Sequence, residues 1–413
     1  MKSNELKIHT RLLQKLQEQK FTDLTCIQEK CIPSILQGSD VVGQAETGSG
    51  KTLAFCLPIL DKIHYRQGLQ ALVLTPTREL CVQVSEVFKE YGKELRFTVA
   101  CIHGGVGIGP QIHRLESAEI AVATPGRMLD HIRRNTIDLR HVQILVIDET
   151  DKMFEMGFVE DVESIIREVP RNRQLLMFSA TVSDDVLSLV KNYSEDPIVV
   201  RTQSYVDQSK LHQIYYDIFE QNQKFSLLVH LLKTRNEGLS IVFCGTRRES
   251  DVVARNLKHQ GIYASAIHGG MNQNKRTTSL NDLKSERTKV LVATDVAARG
   301  LDIKNITHIY NYDVPKTPID YVHRIGRTAR AGAEGAAITL LTERDHENFR
   351  RVQSNEELQI ERAEMPQFQR VQFVRNTEQR DSQQHHGGQR NQFRHHERNS
   401  SFQSTSVGRS FRR

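Results

Sequence analysis

Tryptophan is absent from this chain of 413 residues, and cysteine is scarce, with six. Five of them (Cys26, Cys31, Cys56, Cys81 and Cys101) fall in the first quarter of the chain, the sixth is Cys244, and no two form a C-x-x-C pair. That spacing excludes a zinc ribbon or a disulfide scaffold. Small buried or half-buried thiols in a reducing cytoplasm are expected instead. Long apolar runs are missing too. No stretch approaches the roughly 18 apolar residues that a membrane helix needs. The opening Met1-Lys2-Ser3-Asn4-Glu5 has no apolar signal region. A cytoplasmic protein without membrane contact is therefore expected. With 26% charged and 38% hydrophobic residues the composition suits a globular chain. The length favours two or three domains.

Charge is unevenly placed. Acids and bases cancel over residues 1–365, so the net +6 sits entirely on residues 366–413, which hold nine arginines, no lysine and three acids. This segment is rich in Gln, His, Asn and Ser, and lacks Leu and Ile. It cannot bury enough apolar surface to offset chain entropy, so a disordered tail is expected. Phe368, Phe373, Phe393, Phe402 and Phe411 are spread among its arginines. Arginine for phosphates and phenylalanine for base stacking suit nonspecific contact with single-stranded nucleic acid.

Upstream, short β-branched runs recur at 41–42, 71–74, 120–123, 144–147 and 175–178, then at 241–243, 290–293, 308–310 and 336–341. They are continuous rather than alternating, as strands buried on both faces of a parallel sheet require. Helix-like segments separate them, which predicts a doubly wound α/β fold. The chain also repeats itself. Thr77-Arg78, His103-Gly104-Gly105 and Val122-Ala123-Thr124 return as Thr246-Arg247, His268-Gly269-Gly270 and Val292-Ala293-Thr294, at offsets of 165–170. Three matches in order predict two copies of one fold. The expected division is residues 1–203, a linker at 204–210, a second copy at 211–365, and the tail from 366.

The segment Ala45-Glu46-Thr47-Gly48-Ser49-Gly50-Lys51-Thr52 follows a strand and opens a helix. Glycines there let backbone N–H groups converge on phosphate oxygens, and the helix N-terminus adds positive potential. Lys51 would reach the terminal phosphates, and the Thr52 hydroxyl would ligate Mg²⁺. The run at 144–147 ends in Asp148-Glu149, the second half of a nucleotide-hydrolysing site. Asp148 would hold Mg²⁺ and Glu149 would orient or deprotonate the attacking water. The second copy lacks both features. Its His323-Arg324-Ile325-Gly326-Arg327-Thr328-Ala329-Arg330 could donate arginines to the first copy's site, placing ATP between the two. Pro76-Thr77-Arg78-Glu79-Leu80, Thr124-Pro125-Gly126-Arg127, Ser179-Ala180-Thr181 and Thr294-Asp295 all sit at predicted strand ends. Ligands of open α/β sheets bind there, and Thr, Gly and Arg suit phosphate-backbone contacts.

In this order the motifs resemble those of the DEAD-box family of ATP-dependent RNA helicases over about residues 5–345. The resemblance implies two tandem RecA-like domains and ATP hydrolysis coupled to RNA. It assigns Gln28 to adenine recognition, residues 45–52 to phosphate binding and Asp302 to the ribose. Pro76, Arg78, Gly104, Gly105, Thr124, Gly126, Arg127, Gln273, Arg276 and Thr294 fall to RNA. Asp151, Ser179, Thr181 and His323 would couple hydrolysis to RNA binding, and Arg327 and Arg330 would touch the γ-phosphate. Four positions depart from the family pattern: Leu24 for proline, Ser3 where an aromatic is usual, Thr150 for alanine and Ala329 for glycine. The expected activity is nonprocessive unwinding of short RNA duplexes or remodelling of RNA–protein complexes by a monomer, with the tail adding RNA or ribonucleoprotein contacts. The rival reading is an ATP-gated RNA clamp or annealing chaperone. The intact Glu149 counts against it.

Overall fold

The computed structural model describes residues 1–45, 48–202, 210–235, 238–298, 303, 305–329, 334–355 and 358–375. Its first sheet contains β1 (Val41–Gln44), β2 (Ala71–Leu74), β3 (Val99–Ile102), β4 (Ile120–Ala123), β5 (Ile144–Asp148), β6 (Gln174–Ser179) and β7 (Ile198–Arg201). They lie in the order β3-β4-β2-β5-β6-β1-β7, all parallel. The second contains β8 (Leu211–Asp217), β9 (Leu239–Phe243), β10 (Ala264–Ile267), β11 (Val290–Ala293), β12 (Ile306–Asn311), β13 (Gly335–Leu341) and β14 (Glu361–Arg362). Their order, β10-β11-β9-β12-β13-β8-β14, repeats the first position for position. The sequence repeats fall on equivalent places. Thr77 after β2 caps the helix Arg78–Gly92 by accepting the Leu80 N–H (3.3 Å), and Thr246 after β9 caps Arg247–His259 by accepting that of Glu249 (3.1 Å).

Alternate residues of each strand enter opposite cores, which is why the runs read as continuous. Val41, Val73, Val122, Val146 and Leu176 pack with the helices Lys51–Lys62 and Arg78–Gly92. Val42, Leu72, Leu145, Ile147 and Met177 pack with Val159–Glu168 and Asp184–Tyr193 on the other face. With both faces covered, the strand ends carrying the motifs remain as the open edge. Among the described residues no helix is long and apolar enough to cross a membrane.

Residues 366–373, which composition assigns to the disordered tail, are built into the second half. The Ala363 N–H reaches Tyr215 of β8 at 2.9 Å. Beyond it Phe368, Val371 and Phe373 pack along the helix Gln221–Thr234. The Phe373 and Phe225 rings lie 4.7 Å apart, Ser226 accepts the Val371 N–H at 3.0 Å, and Arg370 pairs with Glu220 at 3.0 Å. Three apolar side chains at short spacing stabilise the segment, whatever the average polarity of the sequence beyond them. Phe373→Ala should therefore destabilise the second half by about 1–3 kcal/mol, less than a fully buried phenylalanine because the ring is half exposed. Chemical denaturation read through a probe in that half checks this.

Candidate active site

Where β1 ends, the buried Ala45 donates its N–H to the Ser179 carbonyl (2.9 Å), tying the loop to β6. Gly48 and Gly50 adopt left-handed φ of +90° and +94°, which glycine reaches without a Cβ penalty. At Gly50 a Cβ would also overlap the Gln28 side chain. Gln28 is only 1% exposed. Its Nε2 donates to the Gly50 carbonyl at 3.0 Å, and its Oε1 accepts the Thr25 N–H at 2.9 Å. Both ends of the amide expected to read adenine are thus engaged within the protein, joining the helix Cys26–Leu36 to the loop. Lys51, first in its helix and buried, points its ammonium at the Ala45 carbonyl (2.5 Å). Glu46 and Thr47 lie outside the described residues, and Ser49, Thr52 and the glycines stand at the helix N-terminus, where N–H groups suit anions.

Asp148 ends β5, and Glu149 turns the chain into the helix Thr150–Glu155 with φ +51°. A non-glycine residue in this region carries strain, which here aims a carboxylate across the strand ends. The two acids are buried side by side but their carboxyls are shifted in opposite directions. Burial, reinforced by the neighbouring Glu149 and opposed by Lys51, pushes the Asp148 carboxyl up to about 7. Burial also acts on Glu149, but Lys152, Lys51 and Arg327 outweigh it and hold that carboxyl down to about 2. Lys152 itself is 1% exposed, with its Nζ 3.1 Å from Glu149 Oε1, and burial lowers its pKa.

The other two residues of the acid motif fasten β5 to β6. Asp151 Oδ2 accepts the N–H and hydroxyl of Thr181 (2.9 and 3.0 Å). The Ser179 hydroxyl accepts the Asp151 N–H (3.2 Å) and donates to the Thr181 carbonyl (2.6 Å). Thr150, fully buried, directs its hydroxyl at the carbonyls of Ile147 and Phe178 (3.1 and 3.3 Å). The extra polar atom relative to alanine is therefore satisfied inside the strand ends.

From the second half, Arg327 is buried and its charge bears on both Glu149 and Lys152. Arg330 and Asp302 lie outside the described residues. Ala329, where the resemblance expects glycine, takes a left-handed φ of +53°, and burial of its methyl offsets part of that cost. His323 lines a narrow cleft with Asp295, Asp320 and Arg327. Arg324, in the same helix, is a strut. It grips both Asp295 carboxylate oxygens (2.5 and 2.8 Å), Asn311 Oδ1 (3.1 Å) and the Asp313 carbonyl (2.6 Å), and lies over the Phe243 ring.

Of the expected RNA contacts, Arg78, Gly104, Gly105, Thr124, Gly126 and Arg127 gather at the carboxyl ends of β2, β3 and β4, half-exposed or exposed, beside the buried Pro76. The Arg78 guanidinium rests on Gly104 and Gly105, where φ is +85° and a Cβ would collide with it. Arg127 donates to the Val106 carbonyl (3.2 Å). Thr294 holds the matching place after β11. Gln273 and Arg276, also expected at RNA, make contacts within the protein here. Arg276 is 8% exposed and binds Glu79 Oε1 (2.6 Å) and the His268 carbonyl (3.1 Å), and Gln273 reaches the same Glu79 oxygen (3.3 Å). They join the two halves. Glu79 and Arg324 lie within motifs of the sequence and Lys152 beside one, and their structural roles have no local signal there.

Family models match residues 25–189 (DEAD/DEAH box helicase) and 223–332 (helicase conserved C-terminal domain). The chain is 41% identical over 365 residues to the DEAD-box ATP-dependent RNA helicase CshA of Bacillus cereus, covering 88% of this chain and 69% of that one. It is 42% identical over 367 residues to CshA of Listeria monocytogenes, covering 88% and 71%. Among solved structures it is similar to S. cerevisiae Dbp5 bound to RNA and ADP BeF3 (31% identity, TM-score 0.80, 88% of this chain and 95% of that). It is also similar to a DEAD box protein from Methanococcus jannaschii (37%, TM-score 0.54, 88% and 99%).

Thr150→Val, which keeps the shape but leaves two carbonyls without their hydroxyl, should cost about 1–2 kcal/mol of stability in a denaturant titration. Thr150→Ser should retain most of it.

Proposed function

The chain belongs to the DEAD-box family of ATP-dependent RNA helicases, and from that premise we propose that RNA and ATP draw its two halves together and that hydrolysis then separates short RNA duplexes or remodels RNA–protein complexes. The enzyme hydrolyses ATP. The observation that carries the closure reading is the charge of Arg327, from the second half, on Glu149 of the first. The bond from Arg276 and Gln273 to Glu79 supports it from the RNA side. So does the higher TM-score to the Dbp5 chain bound to RNA and ADP BeF3, despite lower identity.

In this reading the glycine loop and the amino end of the helix Lys51–Lys62 receive the phosphates of ATP, with Lys51 beside the β and γ groups. Glu149, ionised at neutral pH, orients the attacking water and accepts its proton as charge develops. Arg327 stabilises the transferring phosphoryl group, and Arg330 is assigned the same role. Thr52 and Asp148 offer hydroxyl and carboxylate oxygens, a donor set that suits a hard cation. The buried Asp148 carboxyl, pushed up to about 7, is a group whose charged form a neighbouring cation would favour. Mg²⁺ held there would neutralise charge on the phosphate oxygens. Asp151, Ser179 and Thr181 would pass the state of the nucleotide site to the RNA face through the bonds that tie β5 to β6. Arg78, Gly104, Gly105, Thr124, Gly126, Arg127 and Thr294 would hold the RNA backbone, which carries no sequence information.

The test is the ATPase rate with single-stranded RNA, with matched DNA and with neither. Stimulation by RNA alone is expected. Glu149→Gln should lower the stimulated rate by about 10²- to 10⁴-fold while ATP and RNA still bind. Arg327→Ala should lower it by about 10³-fold or more with RNA binding retained, and near-normal turnover in that variant would refute a site shared between the halves.

A further inference from the structure

Cys81 and Cys101 stand twenty residues apart in sequence and meet in space. Their sulfurs are 3.6 Å apart and in hydrogen-bond contact. Cys81 is fully buried in the first turns of the helix Arg78–Gly92. Cys101 is half-buried on β3, the edge strand of the first sheet. The two thiols differ in the direction of their pKa shift as well as in burial. Burial raises the pKa of Cys81, as it does for the buried Cys31, Cys56 and Cys244. Cys101 moves the other way. The contact with Cys81 lowers it most, burial opposes, and His103, itself shifted up by Cys101, adds to the lowering. The result is a half-buried thiol whose ionised form its surroundings favour, with His103 and a second thiol beside it. That is the arrangement of an oxidisable cysteine with its resolving partner.

We propose that Cys101 and Cys81 form a modification site for hydroperoxides, closing to an intramolecular disulfide that disturbs the RNA-gripping edge of the first sheet. In the first step the Cys101 thiolate attacks the O–O bond. An S–O bond forms, the O–O bond breaks, and the departing alkoxide or hydroxide takes a proton, which His103 is placed to give. In the second step the Cys81 sulfur attacks that of Cys101. The S–S bond forms, the S–O bond breaks, and water leaves with the thiol proton. Two thiols and one hydroperoxide thus yield a disulfide, an alcohol (water when the oxidant is hydrogen peroxide) and water.

The mechanical consequence rests on the RNA reading above. A disulfide holds its sulfurs about 2.0 Å apart, so the pair must close by about 1.6 Å. Arg78 lies three residues before Cys81, and Gly104 three residues after Cys101. The guanidinium of Arg78 fills the space beside Gly104 and Gly105 that a side chain there would need, since a Cβ on Gly104 would be 3.2 Å from it and one on Gly105 would overlap it. Drawing the helix towards β3 therefore shifts Arg78 against the glycine turn. It also disturbs Glu79, which holds Arg276.

The experiment treats the reduced full-length protein with about one equivalent of hydrogen peroxide. Non-reducing peptide mass mapping then locates any bridge, and the RNA-stimulated ATPase is titrated with RNA before and after. A Cys81–Cys101 bridge is expected, with a rise of roughly ten- to a hundredfold in the RNA needed for half-maximal rate, reversed by dithiothreitol. Cys101→Ala and Cys81→Ala should both abolish the change, and Cys81→Ala should leave a sulfenic acid on Cys101 that dimedone traps. A bridge between other cysteines, or none, overturns the site. A Cys81–Cys101 bridge with an unchanged RNA titration overturns its consequence. Because the mapping does not depend on RNA, a reduced enzyme that RNA fails to stimulate would count against the proposed function and leave the test of the thiol chemistry intact.

Discussion

A carboxylate removed from water needs a cation beside it, and the working edge of this protein is arranged around that need. Asp148 and Glu149 are adjacent, equally buried and supplied with positive charge from several elements. Lys51 comes from the glycine loop, Lys152 from the next helical turn, and Arg327 from the other half of the chain. The supply is unequal. Glu149 is held down to about 2 and Asp148 is pushed up to about 7, so two neighbouring acids are set apart by their surroundings. The left-handed turn at Glu149 and the bonds of Thr150 and Asp151 to the end of β6 hold this arrangement in place.

The second sheet shows the same frame with its charges already closed. The helix Gln221–Thr234 follows β8 as Lys51–Lys62 follows β1, and it carries Lys224. Lys224 is 1% exposed, with its ammonium 2.9 Å from Asp345 and 3.5 Å from Asp313. Asp313 also receives Arg344 and the Gly245 N–H. A lysine bound in this way is not available to a phosphate. One fold has therefore been kept open in the first copy and sealed by its own ion pairs in the second. The second copy instead sends Arg327 towards its neighbour, while Arg324 and Asp295 brace the helix that presents it.

Much of this is legible in the sequence alone. Strands buried on both faces leave continuous β-branched runs, and two copies of one topology leave repeats at constant offset. A left-handed turn against a packed side chain leaves a glycine, as at Gly50 and Gly105. Other features had no local signal. An average over 48 residues described the tail as polar and hid Phe368, Val371 and Phe373, which pack against Phe225 and its neighbours. Gln273 and Arg276 fall to RNA by their match to a family motif. Only the fold shows that Glu79 stands opposite them.

The residues by themselves determined the parallel α/β class, the duplication, the glycine loop and the acid pair, because each depends on neighbours close in the chain. Tertiary structure decided what depends on distant neighbours. It made Glu149 a stable anion and Asp148 a reluctant one, since burial and the positions of Lys51, Lys152 and Arg327 set the balance. It turned Arg324 into a strut and Arg276 into a clasp. It also brought Cys81 and Cys101, which carry no shared motif, within 3.6 Å of each other, because a helix and an edge strand that pack together place side chains by shape rather than by sequence spacing.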